Sequence, residues 1–270
     1  MRFHFSFIDL PDMNTAIITG ASKGIGKAIA AELAAKGFDL LLIARTESLL
    51  QTLAAELSHR HNVKVEYLSL DLTTPDSINK IIEKVENEKL SVQVLINNAG
   101  YAQWGNFAEL DLIEQENMMF VNMNLMVRLS HRLLPQLLKN QKSYLLNVAS
   151  SSAYQAIPTL AIYCASKAFV LQFTRALRHE LKGKGINVSC LSPGPTETEF
   201  MNVAGMTTAK MKKQAAKFNM SPEAVASIGL KGLMNNKAEI IPGFLNLLQA
   251  KMVNFVPKTI TEKIAAGLYK

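Results

Sequence analysis

Short apolar, β-branched runs alternate along the chain with stretches whose apolar positions recur at helical spacing. TAIIT (15–19) precedes a helical pattern over 26–37, DLLLIA (39–44) precedes one over 47–60, and VKVEYLSL (63–70) precedes one over 75–88. VQVLIN (92–97) leads into a long pattern from about Leu110 to Leu138, and SYLLNVA (143–149) into one from about Leu160 to Leu181. INVSCLS (186–192) and a weak run, AEII (238–241), flank a helix expected over 222–233. Continuous apolar runs mark strands covered on both faces, and strand–helix alternation at this spacing implies parallel strands joined by right-handed crossovers. The pattern therefore predicts an α/β fold, a doubly wound parallel sheet of about seven strands with helices on both faces.

No linker, low-complexity tract or internal repeat interrupts the alternation. One domain is expected over 13–242, after a short N-terminal extension (1–12) and before a C-terminal helical extension (243–270). In that last segment Phe244, Leu248, Met252 and Phe255 recur at i, i+4, i+8 and i+11, and Leu245, Leu247 and Val256 broaden the face. Lys251, Lys258, Lys263 and Lys270 add positive charge along it. Three readings stay open: packing on the domain or a sister subunit, capping a substrate pocket, or lying on an anionic membrane surface. The first is favoured because a helix with one apolar face usually buries it in protein. Membrane-surface contact is not favoured, because the polar face is not strongly basic.

Composition narrows the class. Of 270 residues, 49% are hydrophobic and 19% charged, enough for a full core and against global disorder. Cys164 and Cys190 are the two cysteines, so a disulfide framework is not expected and a reducing, cytoplasmic compartment is the simpler reading. The net charge is +7, but the cations are scattered; the mild cluster Lys210, Lys212, Lys213 and Lys217 reads as a solvated helix face rather than a nucleic-acid site. No apolar run is long enough for a transmembrane segment, and the N-terminus lacks a signal-peptide core. A basic field does suit an anionic cofactor or substrate.

The chemistry gathers at expected strand ends. TGASKGIG (19–26) lies between a strand and a helix, where a phosphate-binding turn belongs. Gly20, Gly24 and Gly26 let the backbone turn tightly, and Ser22, Lys23 and Ile25 complete the loop ahead of a helix N-terminus that favours anions. A plain glycine-rich turn is the alternative; the strand–loop–helix context favours the cofactor. At the end of the second strand stands Arg45, where binders of NAD usually carry an acidic residue. Its planar fork, with Lys23, suits a 2′-phosphate, so NADP (NADPH) is expected over NAD, unless Arg45 is merely a solvated strand-end residue. Asp71 and Leu72 close the third strand, where Asp71 could accept a bond from the adenine amino group. Asn98, Ala99 and Gly100, in NNAG (97–100), could let a cofactor lie against the backbone, although such residues also suit any turn. Tyr163 and Lys167, in YCASK (163–167), share a helix face. Alone they are an ordinary surface pair. Ser150, at the end of the fifth strand, is expected on the same cleft, where it could polarise a carbonyl while Tyr163 exchanges the proton and Lys167 lowers the phenol pKa by its charge.

Together these pieces resemble the short-chain dehydrogenase/reductase family, in its single-domain branch, over about residues 13–245. The motifs are TGASKGIG, NNAG, Asn122 in FVNMN, Ser150 in NVASS, YCASK and SPGPTET, in that order. The resemblance implies a Rossmann-type fold and NAD(P)-dependent oxidation of an alcohol or reduction of a carbonyl. It implies Tyr163 as acid/base, Lys167 as charge and ribose ligand, and Ser150 as the carbonyl-orienting group. It also implies that Asn122 holds a water linking Lys167 to solvent, and that Pro193, Gly194, Thr196 and Thr198 hold the nicotinamide carboxamide. The chain most resembles a bacterial subgroup of general reductases, whose eukaryotic relatives handle hydroxysteroids and long-chain 3-oxoacyl groups. A homo-oligomer is expected.

An epimerase would need a larger C-terminal domain than 270 residues allow. A cofactor-binding scaffold or sensor would be expected to lose Ser150, Tyr163 or Lys167. The expected partner is a small-molecule carbonyl or alcohol substrate, of ketone or 3-oxoacyl type if Trp104, Ile157, Phe200, Met201, Val203, Met206 and Met211 line its pocket. Those side chains could equally just pack a loop.

Overall fold

The computed structural model describes residues 14–269 apart from 207, 209, 210, 212, 214, 215, 217 and 254. The expected extension 1–12, Lys270 and most of the 210–217 lysine cluster lie outside the described residues. Seven parallel strands form one sheet: β1 Thr15–Thr19, β2 Asp39–Ala44, β3 Val65–Ser69, β4 Val92–Asn97, β5 Ser143–Val148, β6 Ile186–Leu191 and β7 Glu239–Ile240. Their order is β3-β2-β1-β4-β5-β6-β7. The chain reverses its direction of winding between β1 and β4, and in such sheets the crevice beyond the strand C-termini at that point receives the ligand.

The continuous apolar runs have the predicted cause. Successive strand residues enter cores on opposite faces: Ile18, Leu42, Ile96 and Leu146 pack with α1 (Gly24–Ala35), α2 (Glu47–His61) and α8 (Pro222–Met234). Ile17, Leu41, Leu95 and Leu145 pack with α3 (Asp76–Asn87) and α5 (Met126–Leu137). Each such side chain contributes roughly 1.5–3 kcal/mol of burial.

Two elements differ from the periodicity. The long pattern from 110 to 138 is not one helix. It comprises α4 (Leu112–Met119), a π-helical turn (Phe120–Leu125) and α5. The turn holds buried Asn122, whose side-chain amide bonds the Tyr101 backbone at both its ends. Single π turns inside α-helices occur frequently at functional sites.

The C-terminal segment is two helices, α9 (Phe244–Met252) and α10 (Lys258–Tyr269), separated before Pro257. Of the favoured expectation, packing on the domain or a sister subunit, the first half is corrected: Phe244, Leu248, Met252 and Phe255 are all exposed on the single chain. The helix docks instead through Asn246 and Ala250, with Val253 at its C-cap. Small backbone at Gly194 and Gly243 admits Asn246 there, and α9 ends before Phe255 could join the stripe.

Candidate active site

A cleft of about 840 Å³ runs across the C-terminal ends of the strands. Gly20, Ser22, Lys23, Gly24, Ile25, Arg45, Asp71 and Leu72 line one end. Asn98, Ala99, Gly100, Ser150, Tyr163, Lys167, Pro193, Gly194, Thr196 and Thr198 line its middle. Of the expected site residues, Gly26 and Asn122 alone fall outside the lining.

Gly20 and Gly24 have positive φ, +66° and +52°, which explains glycine at both. The tight approach at Gly20 and Gly26 comes from protein. A Cβ on Gly26 would lie 2.2 Å from the Gly20 carbonyl oxygen and 2.5 Å from Asn98 Nδ2, and one on Gly20 would lie 2.8 Å from the same nitrogen. Asn98 Nδ2 donates to the carbonyls of Thr19 and Gly20 at 3.0 and 3.1 Å. Asn98 thus pins the loop, and Gly26 makes room for it rather than for a ligand. Thr19, which the sequence reading passed over, completes the lock: its Oγ1 accepts from the N–H groups of Asn98 and Ala99, both at 3.0 Å. Only its place at the strand end could have marked it.

The loop suits a dinucleotide. Lys23 at the N-cap of α1 makes no side-chain cap bond, so the first N–H groups of the helix are left for a ligand. At the neighbouring strand ends Arg45 is exposed and Asp71 is an acceptor held by Thr73, whose N–H and Oγ1 reach its Oδ1 at 3.0 and 2.8 Å. Those bonds, with a smaller contribution from the Arg45 charge, hold the Asp71 carboxyl below its usual range. Thr198, in the loop between β6 and the short helix α7 (Phe200–Val203), packs over Gly24 and closes this end.

In the middle, α6 (Ala161–Glu180) places Tyr163 and Lys167 one turn apart, both buried. The Lys167 amine lies 5.8 Å from the Tyr163 ring centroid and donates to the Val148 carbonyl at 3.0 Å. Burial pushes its pKa down to about 8. Ser150 caps a short 3-10 turn (Ser151–Tyr154) by accepting from the Ser152 N–H at 3.1 Å, a bond that leaves its own O–H to donate.

A family profile described as short chain dehydrogenase matches residues 14–209. The chain belongs to the short-chain dehydrogenase/reductase family. It is similar to sulfoacetaldehyde reductase 2 of Chromohalobacter salexigens, 37% identical over 68% of this chain and 73% of that protein. It is also similar to the mouse very-long-chain 3-oxoacyl-CoA reductase, 31% identical over 94% and 79% respectively. Among solved structures it resembles a short-chain dehydrogenase from Sphingobium yanoikuyae in complex with NADPH, with a TM-score of 0.77 and 29% identity over 91% of this chain and 97% of that one. The protein is thus an NAD(P)-dependent oxidoreductase acting on carbonyl or alcohol groups.

Within this short-chain dehydrogenase, Asn122 is held by protein. Its two N–H groups go to the Tyr101 carbonyl and Ser166 Oγ, each at 3.0 Å, and its Oδ1 accepts from the Tyr101 N–H at 3.1 Å. Both its N–H groups are thus taken by protein, and the second lone pair of Oδ1 is the side-chain position left for the expected water. Ile157, Phe200, Met201, Val203, Met206 and Met211 line the cleft as expected, but Trp104 does not. Trp104 packs against the apolar cluster that includes Ile157, Met206 and Met211, and its backbone N–H bonds the Ala204 carbonyl at 2.9 Å, tying two loops together. The C-terminal helices contribute Leu245, Leu248, Met252, Val253 and Ile264 to the lining, so the capping reading, second in the sequence analysis, describes their position. Burial raises the pKa of Cys164 to about 11 and of Cys190 to about 12, which leaves both as inert thiols.

Proposed function

We propose that the chain is an NADP(H)-preferring reductase of uncharged, apolar carbonyl compounds of ketone or 3-oxoacyl type. One observation carries the reading: charge is segregated along the cleft. Among its described lining residues Lys23, Arg45 and Asp71 stand at the glycine-loop end, Lys167 and Glu199 stand near the middle, and no cation lines the apolar end formed by Ile157, Met201, Met206, Leu248, Met252 and Ile264. A sulfonate or carboxylate substrate would lie there unpaired, at a cost of several kcal/mol. Arg45 and Lys23, with no carboxylate on the end of β2, favour a 2′-phosphate. The NADPH complex of the Sphingobium relative is consistent with this choice.

When bound, the nicotinamide supplies or accepts the hydride. Ser150 donates a hydrogen bond to the substrate oxygen and orients it. Tyr163 gives its phenolic proton to that oxygen in reduction and takes it back in oxidation. Lys167, charged at neutral pH with its pKa near 8, stabilises the phenolate that remains. Asn122 holds the Tyr101 loop and α6 at fixed spacing beneath Gly100. A homo-oligomer is also proposed, through exposed Leu112 and Ile113 on α4 and Phe169 on α6, whose ring stacks on Phe173.

The test is turnover of a series of methyl ketones of increasing chain length, beside charged aldehydes, with NADPH and NADH. Rates are expected to rise with chain length and to fall for charged substrates. Tyr163→Phe is expected to bind NADPH normally and lose about 10²–10⁴ in turnover. Preference for charged substrates, or an active Phe variant, would refute the reading.

A further inference from the structure

The C-terminal helices carry an apolar surface that the fold leaves uncovered. Phe244 is 76% exposed, Phe255 88% and Met252 52%, and α10 adds exposed Ile260 and Ile264. Val203, Leu248, Met252 and Ile264 belong both to this surface and to the cleft lining, so the patch forms the rim of the cleft mouth. Isolated exposed apolar residues are ordinary, but a contiguous group of this kind marks an interaction surface. Among the described residues of the two helices and their linker, Lys251, Lys258 and Lys263 face solvent against the single acid Glu262.

We propose that this face docks on an anionic lipid surface. Large apolar side chains flanked by lysines match the boundary between acyl chains and negative headgroups. The position of the cleft argues against a second copy of the chain as the occupant. A protein seated on the rim would close the mouth, whereas a lipid surface leaves the mouth facing the phase in which an apolar carbonyl compound dissolves. No described helix is long and apolar enough to cross a membrane, so the contact is peripheral. Net charge +7 strengthens attraction to an anionic surface.

The test is co-sedimentation of the full chain, loaded with NADPH, with vesicles of phosphatidylcholine alone and of phosphatidylcholine mixed with phosphatidylglycerol. Binding is expected to the mixed vesicles, to weaken at high salt, and to fall at least about tenfold in Phe244→Ser/Phe255→Ser. Neither ring lines the cleft, so this variant is expected to keep its melting temperature and NADPH affinity. Lys251→Glu/Lys263→Glu is expected to lose the preference for anionic vesicles. Absence of binding, or equal binding by the phenylalanine variant, would overturn the proposal. So would sedimentation velocity showing a dimer that the phenylalanine variant abolishes, since a second copy would then cover the face. Vesicle binding is read without turnover, so its failure is separable from failure of the substrate assignment.

Discussion

Lys167 places a charge where the fold resists one, and replacing it with methionine should expose that conflict. The side chain is buried, and burial moves its pKa from 10.5 to about 8. At about 1.4 kcal/mol per pH unit this corresponds to roughly 3 kcal/mol against the charged form. The folded pKa lies below the unfolded one, so the unfolded chain holds more protons between about pH 8 and 10.5, and stability rises with pH across that window. The penalty is nearly full at pH 7 and has shrunk to about 1 kcal/mol at pH 10. Lys167→Met removes it but leaves the Val148 carbonyl without its donor, a loss of about 1–2 kcal/mol. The cofactor-free variant should therefore be more stable than the parent by about 1–2 kcal/mol at pH 7 and no more stable, or slightly less, at pH 10. Urea denaturation of both proteins at pH 7, 8.5 and 10 reads the difference directly. Cys164, whose raised pKa makes both proteins lose stability in alkali, cancels in the comparison, whereas Cys190 interacts with the Lys167 charge and is therefore replaced by serine in both proteins. A stability gap that does not narrow with rising pH would refute the reasoning, and with it the view that catalytic use of Lys167 is held against a desolvation penalty.

Arg45→Ala should erase most of the preference for NADPH over NADH, by roughly 1.5–3 kcal/mol for a charge-assisted contact, read by nucleotide fluorescence titration; equal affinities in the parent would remove the assignment. Gly26→Ala should lower stability by at least about 1–3 kcal/mol, because its methyl would meet the Gly20 carbonyl and the Asn98 amide; an unchanged melting temperature would show that the loop yields cheaply. Truncation after Pro242 should raise KM for long-chain ketones far more than for short ones, since it removes Leu248, Met252 and Ile264 from the apolar wall; a uniform change across the series would place that wall elsewhere.

The sheet and the glycine loop were legible because each follows from a local rule. Strands buried on both faces read as unbroken apolar runs, and a loop between strand and helix with three glycines has few other uses. The converging positions of Ser150, Tyr163 and Lys167 followed from strand ends and one helical turn. What escaped depended on partners distant in sequence. Asn98 was expected to offer its backbone to a cofactor, and it lines the cleft; what periodicity did not show is that its side chain bonds the carbonyls of Thr19 and Gly20, nearly eighty positions away. Trp104 had the right character for a pocket wall, yet it packs against wall residues such as Ile157 and Met206 instead of lining the cleft, in a loop bonded to Ala204. In α9, periodicity reported which residues would gain from burial, not which face the site could accept. The accepting surface is the bare backbone of Gly194, which takes Asn246 and no larger apolar group.

That contact joins the two ends of the cleft. The loop of Pro193, Gly194, Thr196 and Thr198 rests on Gly24 through Thr198 at one end, and a Cβ on Gly194 would meet the Asn246 side chain at 2.4 Å at the other. Asn246 is buried and anchored by a 3.0 Å bond to the Pro242 carbonyl, so α9 cannot come closer without moving Gly194. The same helix carries Leu248 and Met252 on the cleft wall and Phe244 on the outer surface. The apolar end of the cleft and the outer face thus both border on α9, which packs against the loop expected to hold the nicotinamide. A coupling free energy between sites requires such a shared element whose position each ligand favours differently. In this fold α9 supplies the shared contact, a single asparagine packed against a single glycine.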